Sequence, residues 1–142
     1  MAMMLDSIQL DEQYGLGGDQ LEWVDEFDWD AVAQEQERSL AGTLIVQEGV
    51  KVHGRPITLA SNGAAWFELS LVRQLEVLRD QPGRVMPLVL PDGREFSVIF
   101  NRTGGAALEA KPLWRQVNPG ADALYEITLR LLTVAPPVIP DP

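Results

Sequence analysis

SLVRQLEVLRDQPGRVMPLVLPDGREFSVIFN, residues 70–101, decides the fold class of this chain, because it carries a helix, a hard stop and a β-hairpin in succession. Ser70 suits a helix N-cap, since its hydroxyl can accept a bond from an otherwise orphaned amide of the first turn. Leu71, Val72, Leu75 and Leu78 recur at helical spacing while Arg73, Gln74, Glu76 and Arg79 fall mostly off that stripe, so the spacing predicts an amphipathic helix over 70–81. Pro82-Gly83 ends it. Residues 85–90 form a short apolar run, Pro91-Asp92-Gly93 is a turn signal, and Phe96, Val98 and Phe100 alternate with Ser97 and Ile99. A lone helix laid on an antiparallel sheet follows.

Working outward, the flanks read as β. Leu40, Gly42, Leu44 and Val46 alternate with Ser39, Ala41, Thr43 and Ile45, a period-2 signal that predicts one strand, with its turn at 47–49. Val50, Val52, Ile57 and Leu59 continue as a second strand, interrupted around 53–56 by a bulge or kink. Ser61-Asn62-Gly63 is a turn, and 64–68 leads into the helix as a short strand or an extended approach. Beyond the hairpin, 101–105 is a turn, 106–114 a strand whose Pro112 suggests an edge position, and 118–120 another turn. Tyr125, Ile127, Leu129 and Leu131 alternate with Glu126, Thr128 and Arg130, the cleanest half-buried strand of the chain. The final seven residues are too proline-rich to join a ladder and read as an extended tail. The organisation expected is an acidic N-terminal arm over 1–37, a β domain with its one helix over 38–134 and a tail over 135–142. The fold class is mainly β with one α-helix, an antiparallel sandwich or barrel flanked by that helix.

At 142 residues and 46% hydrophobic, the chain suits one domain with a real core. Without cysteine it has no disulfide framework, thiolate metal site or thiol catalysis. No apolar run approaches the roughly 20 residues that cross a bilayer. The first residues show no basic flank before an apolar stretch, so a soluble protein without a secretory signal and without membrane insertion is expected. The net charge of −10 lies in one place. Residues 1–40 hold eleven Asp and Glu against Arg38, whereas 41–142 hold ten acidic and ten basic residues. That distribution argues against specific nucleic-acid binding and against docking on anionic lipid. Either a solvated arm or a segment with a specific role would carry it.

Reactive constellations are sparse. Gly15-Leu16-Gly17-Gly18 lacks the spacing and the Lys of a phosphate loop, and Asp19 would repel an anion. In LEWVDEFDWD, residues 21–30, the carboxylates Asp25, Glu26, Asp28 and Asp30 have neither the glycine nor the bidentate glutamate of a calcium loop. The segment instead reads as extended, with Trp23, Phe27 and Trp29 laid on apolar surface, either as core packing or as subunit contacts. These three aromatics and four carboxylates are the candidate contact residues. His53 is the single histidine, which excludes a two-histidine metal site and makes it a bystander rather than a catalytic base. With no Gly-x-Ser-x-Gly elbow and no metal-ligand cluster, neither an enzyme nor a cofactor or metal is expected.

From Arg38 to Val134, about two thirds of the chain, the order of elements resembles phage tail proteins of the tube and distal-tail type. The stretches that carry the resemblance are Gly54-Arg55-Pro56-Ile57-Thr58-Leu59, Gln81-Pro82-Gly83, Leu90-Pro91-Asp92-Gly93-Arg94-Glu95-Phe96 and Tyr125-Glu126-Ile127-Thr128-Leu129-Arg130-Leu131. The resemblance implies a tail-tube-like sandwich or barrel, assembled with itself as a ring, usually six-fold, around the channel through which DNA passes. It implies neighbouring tube, tape-measure and tip or hub proteins as partners. It places the protein in a virion tail, made in a bacterial host's cytoplasm. The chain is too short for an appended carbohydrate-binding domain. Two other readings stand beside this one: a small acidic protein that blocks a nucleic-acid-binding partner, and a tail-associated cell-wall hydrolase, which the missing cysteine and solitary histidine disfavour.

Overall fold

The alternation of Ile127, Leu129 and Leu131 with polar neighbours builds the spine of the molecule. In a computed structural model that describes residues 3–6, 8–10, 21–63 and 65–136, the protein is mainly β, with antiparallel sheets and, among those residues, one helix. In chain order the strands are β1 Met4–Leu5, β2 Ile8–Gln9, β3 Glu22–Trp23, β4 Val32–Arg38, β5 Leu44–Val50, β6 Pro56–Ala60 and β7 Phe67–Glu68. The helix α1 Leu69–Arg79 follows, then β8 Met86–Val89, β9 Glu95–Phe100, β10 Leu108–Pro112 and β11 Leu124–Thr133.

β11 is long enough to hold two partners along each edge. On one side its first half pairs β10 and its end pairs β9; on the other it pairs β7 and then β6. The sheet continues outward in the order β2-β1-β8-β9-β11-β6-β3, so it forks about its central strand. Ile127, Leu129 and Leu131 are buried on one face, where Leu71, Val72, Leu75 and Leu78 of α1 join Ile57, Leu59, Phe67, Leu88 and Val98 in a single core. Each such side chain contributes roughly 1.5–3 kcal/mol relative to leaving it in water.

Four local expectations are corrected. The helix starts at Leu69 and its N-cap is Glu68, not Ser70. The amides of Leu69 and Ser70 donate to the carbonyls of Ala123 and Ala121, so the loop before β11 satisfies the helix terminus that the Ser70 hydroxyl was expected to cap. Residues 3–6 and 8–10, expected in the acidic arm, belong to the body. Met3, Leu5, Ile8 and Leu10 are buried, and β1 extends the sheet at β8. The signal is weak because each strand is two residues long, too short to show a period. The glycines at 15, 17 and 18 and the tail from 137 lie outside the described residues.

The third and fourth corrections concern the strand over 39–46 and the second strand meant to run from Val50 to Leu59. Residues 39–43 are instead the turn between β4 and β5, closed by Ser39 N–H on Thr43 O (2.9 Å) and Gly42 N–H on Ser39 O (2.9 Å), and the expected turn at 47–49 lies inside β5. Gly42 sits at φ +85°, a left-handed conformation that costs a glycine little. Ser39 supports the turn again by accepting the Thr43 N–H on its hydroxyl (3.1 Å). β5 stops at Val50, and β6 begins at Pro56 as a separate strand in the other sheet.

Candidate assembly surface

Among the described residues β4 and β5 pair with each other alone, from Val32↔Val50 to Arg38↔Leu44, and all fourteen strand residues are exposed. The register decides what each face carries. Val32, Gln34, Gln36 and Arg38 share one face with Val50, Glu48, Val46 and Leu44; Ala33, Glu35 and Glu37 share the other with Gly49, Gln47 and Ile45. One face is thus striped with aliphatic side chains and the other is acidic. At the tip Leu40 is fully exposed. A two-stranded hairpin with no packed face is marginally stable in water, and it offers two unpaired edges besides.

Its root, by contrast, is clamped. Lys51 N–H donates to Ala31 O (2.8 Å), and the Asp30 carboxylate accepts the Val32 N–H (2.9 Å), which starts β4. Trp29 lies half-buried under two cations, Arg55 at 5.6 Å and Lys51 at 5.4 Å. Arg55 also stacks on Trp23 at 4.5 Å and donates from Nη2 to the Glu26 carbonyl (2.7 Å). Cation–π contacts of this kind contribute roughly 0.5–2 kcal/mol each, most where water is excluded. Among the described residues the buried Nε of Arg55 and Nε1 of Trp23 have no hydrogen-bond partner, so aromatic stacking joins the Arg55 Nη2 hydrogen bond in fixing this corner.

Deeper in the same segment, the two oxygens of Asp25 accept the backbone N–H and the hydroxyl of Thr58, both at 2.8 Å. Glu26 pairs with Arg94 (3.0 Å), whose guanidinium lies over Trp23, and Trp23 meets Phe96 edge-on with ring centroids 5.8 Å apart. Hydrogen bonds to the carboxylates of Glu26 and Asp92 raise the Arg94 pKa above its ordinary value. Of the candidate contact residues, Trp23, Asp25, Glu26, Trp29 and Asp30 are therefore brought together as the anchor of the hairpin root on their own chain. Phe27 and Asp28 stay in solvent, Phe27 being 91% exposed.

His53 is exposed at the edge of a cavity of about 370 Å³ that it shares with Trp29, Arg55, Phe96 and Thr133. No group of three or more metal-ligating side chains occurs among the described residues, and none of their helices is long and apolar enough to cross a membrane. Sequence reasoning missed the hairpin as an object. The signal was available in pairs rather than in single strands, because Leu44 and Val46 face Arg38 and Gln36. It also missed a second exposed apolar feature after β10, where Trp114 is 64% exposed and Val117 fully so.

No family model matches the chain, and no curated protein or solved structure matches it.

Proposed function

We propose that this chain is a structural, self-assembling subunit, a ring component of a phage tail of the distal-tail, tail-tip or baseplate type that joins the tube to the tip. The observation that carries the reading is the Val32–Val50 hairpin. Fourteen strand residues stand in solvent on a clamped root, with an aliphatic stripe that the chain's own body leaves uncovered. A feature of that kind gains its stability when a neighbour covers it. The forked sheet about β11, with α1 on its buried face, fits the sandwich or barrel of tail-tube-like proteins.

The test is the mass of the protein in solution by light scattering, over a range of concentration and salt, together with electron images of the concentrated sample. A concentration-dependent ladder ending in closed rings with a central channel is expected. A variant in which residues 32–50 are replaced by a two-residue turn, joining the already bonded Ala31 and Lys51, is expected to stay folded and monomeric. A wild type that stays monomeric throughout, or stops at a closed dimer, overturns the reading.

A further inference from the structure

Lys111 and Arg115 flank the other large exposed apolar feature. β10 pairs β11 along one edge, and among the described residues its second edge has no partner strand. From that edge the chain runs on as Lys111-Pro112-Leu113-Trp114-Arg115-Gln116-Val117, with every residue but the half-buried Leu113 exposed. The cations elsewhere in the body are occupied. Arg73, Arg79, Arg84, Arg94 and Arg130 have carboxylate partners. Lys51, Arg55 and Arg102 lie over aromatic rings. Lys111 and Arg115 have neither among the described residues. The acidic face of the hairpin mirrors this: Glu35 and Glu37, two residues apart and so on one side of β4, make no ion pair among the described residues and flank Ile45, which pairs across from Glu37.

We infer that the acidic face of the hairpin, carrying Glu35, Glu37 and Ile45, docks on the basic, tryptophan-bearing strip 111–117 of a second copy of this chain. The inference rests on the assembly reading above and adds a contact on the face opposite the aliphatic stripe. Hairpin and strip are different surfaces of one molecule, so in a ring the contact runs head-to-tail: each copy offers its hairpin to the next and its strip to the one before. Made once per pair of copies, such a contact closes into a ring or runs on as a filament; made twice, reciprocally, it would give a two-fold dimer instead. Ile45 and Trp114 supply the apolar centre, an exposed tryptophan being the residue type most enriched among binding hot spots. The charges around them set register and partner choice, and being solvent-facing they weaken as salt rises.

Charge reversal tests it, because all four residues are exposed and their replacement leaves the core untouched. The double variants Glu35→Lys with Glu37→Lys, and Lys111→Glu with Arg115→Glu, are each expected to need a concentration about tenfold higher or more to assemble than wild type, since like charges then meet. Mixed in equal amounts the two are expected to regain the wild-type mass, each hairpin now meeting a strip of opposite sign. Assembly of the strip variant at wild-type concentrations overturns the docking site while leaving the assembly reading standing, as does a mixture that fails to recover. A wild-type chain that stays at 15.7 kDa under every condition overturns both.

Discussion

Two antiparallel hairpins of this chain look alike when read residue by residue and differ in everything that follows from packing. β8 and β9 join through Pro91-Asp92-Gly93, and their strands are captured on both sides, β8 by β1 and β9 by β11. Met86, Leu88, Val98 and Phe100 go into the core. β4 and β5 join through Ser39–Thr43, have no further partner strand among the described residues, and leave Leu44, Ile45 and Val46 in solvent. Period-2 alternation marks both. Whether an alternating strand is buried depends on what its partner places on the same face, and β4 offers Gln34, Gln36 and Arg38 where β9 offers Phe96 and Val98.

The contrast breaks first on core truncation. Leu88→Ala, at a fully buried position, is expected to lower stability by about 2–5 kcal/mol, which for a chain of this size moves the melting temperature by roughly 5–20 °C. Val46→Ala in the free hairpin is expected to change monomer stability by less than about 0.5 kcal/mol, with its effect appearing in assembly instead. Thermal unfolding of both variants at low protein concentration checks this. Equal shifts would mean that the free hairpin is part of the cooperative core.

Next in size is the anchor. Asp25→Ala removes the acceptor of two charge-assisted bonds from Thr58 and is expected to cost roughly 1.5–3 kcal/mol, measured by urea unfolding. Because Asp25 ties the segment before β4 to β6, faster amide exchange is expected around 21–31 and little change in β8–β9.

The two turn glycines sharpen the comparison further. Gly93 at φ +95° and Gly42 at φ +85° are both left-handed, and alanine at either costs about 1–2 kcal/mol locally. Gly93→Ala is expected to lower the global melting temperature, since its hairpin is stitched into the sheet. Gly42→Ala is expected to leave it unchanged and to loosen the tip alone, seen as faster exchange of the Thr43 amide.

How far the sequence could be read follows the same division. The helix, the Pro-Asp-Gly hairpin and β11 were legible because each carries a full period of its own and meets the core on a continuous face. β1 and β2 were not, since two-residue strands have no period and Met3, Leu5, Ile8 and Leu10 declare themselves through their partners. The anchor was half legible. LEWVDEFDWD stood out by composition, but the pairing of Asp25 with Thr58, 33 residues on, is a tertiary fact with no local signal. The strand expected over 106–114 ends at Pro112, because Trp114 is an apolar side chain that the fold leaves outside.

The smallest expected effect lies at the turn of the captured hairpin, and its sign can be worked out. The Asp92 carboxyl is held below its ordinary value of 3.8, chiefly because the backbone N–H of Arg94 donates to Oδ1 (3.1 Å), with the Arg94 Nε on Oδ2 (2.7 Å) adding to it. A carboxyl whose folded-state value is depressed contributes stability that is complete above 3.8 and is lost as the pH falls through the lowered folded value. Asp92→Asn is therefore expected to be slightly less stable than wild type at neutral pH and to converge with it in strong acid. The group is open to solvent, so the difference is small and best read locally. The amide shift of Arg94 should follow the Asp92 titration, because that N–H ends on the carboxylate. The amide shift of Thr43 should stay flat over the same range, because at the tip of the free hairpin the matching bond ends on the Ser39 hydroxyl, which does not titrate there. An Arg94 shift that stayed equally flat would remove the carboxylate from the turn, and with it the link from Asp92 through Arg94 to Glu26 that ties the captured hairpin to the root of the free one.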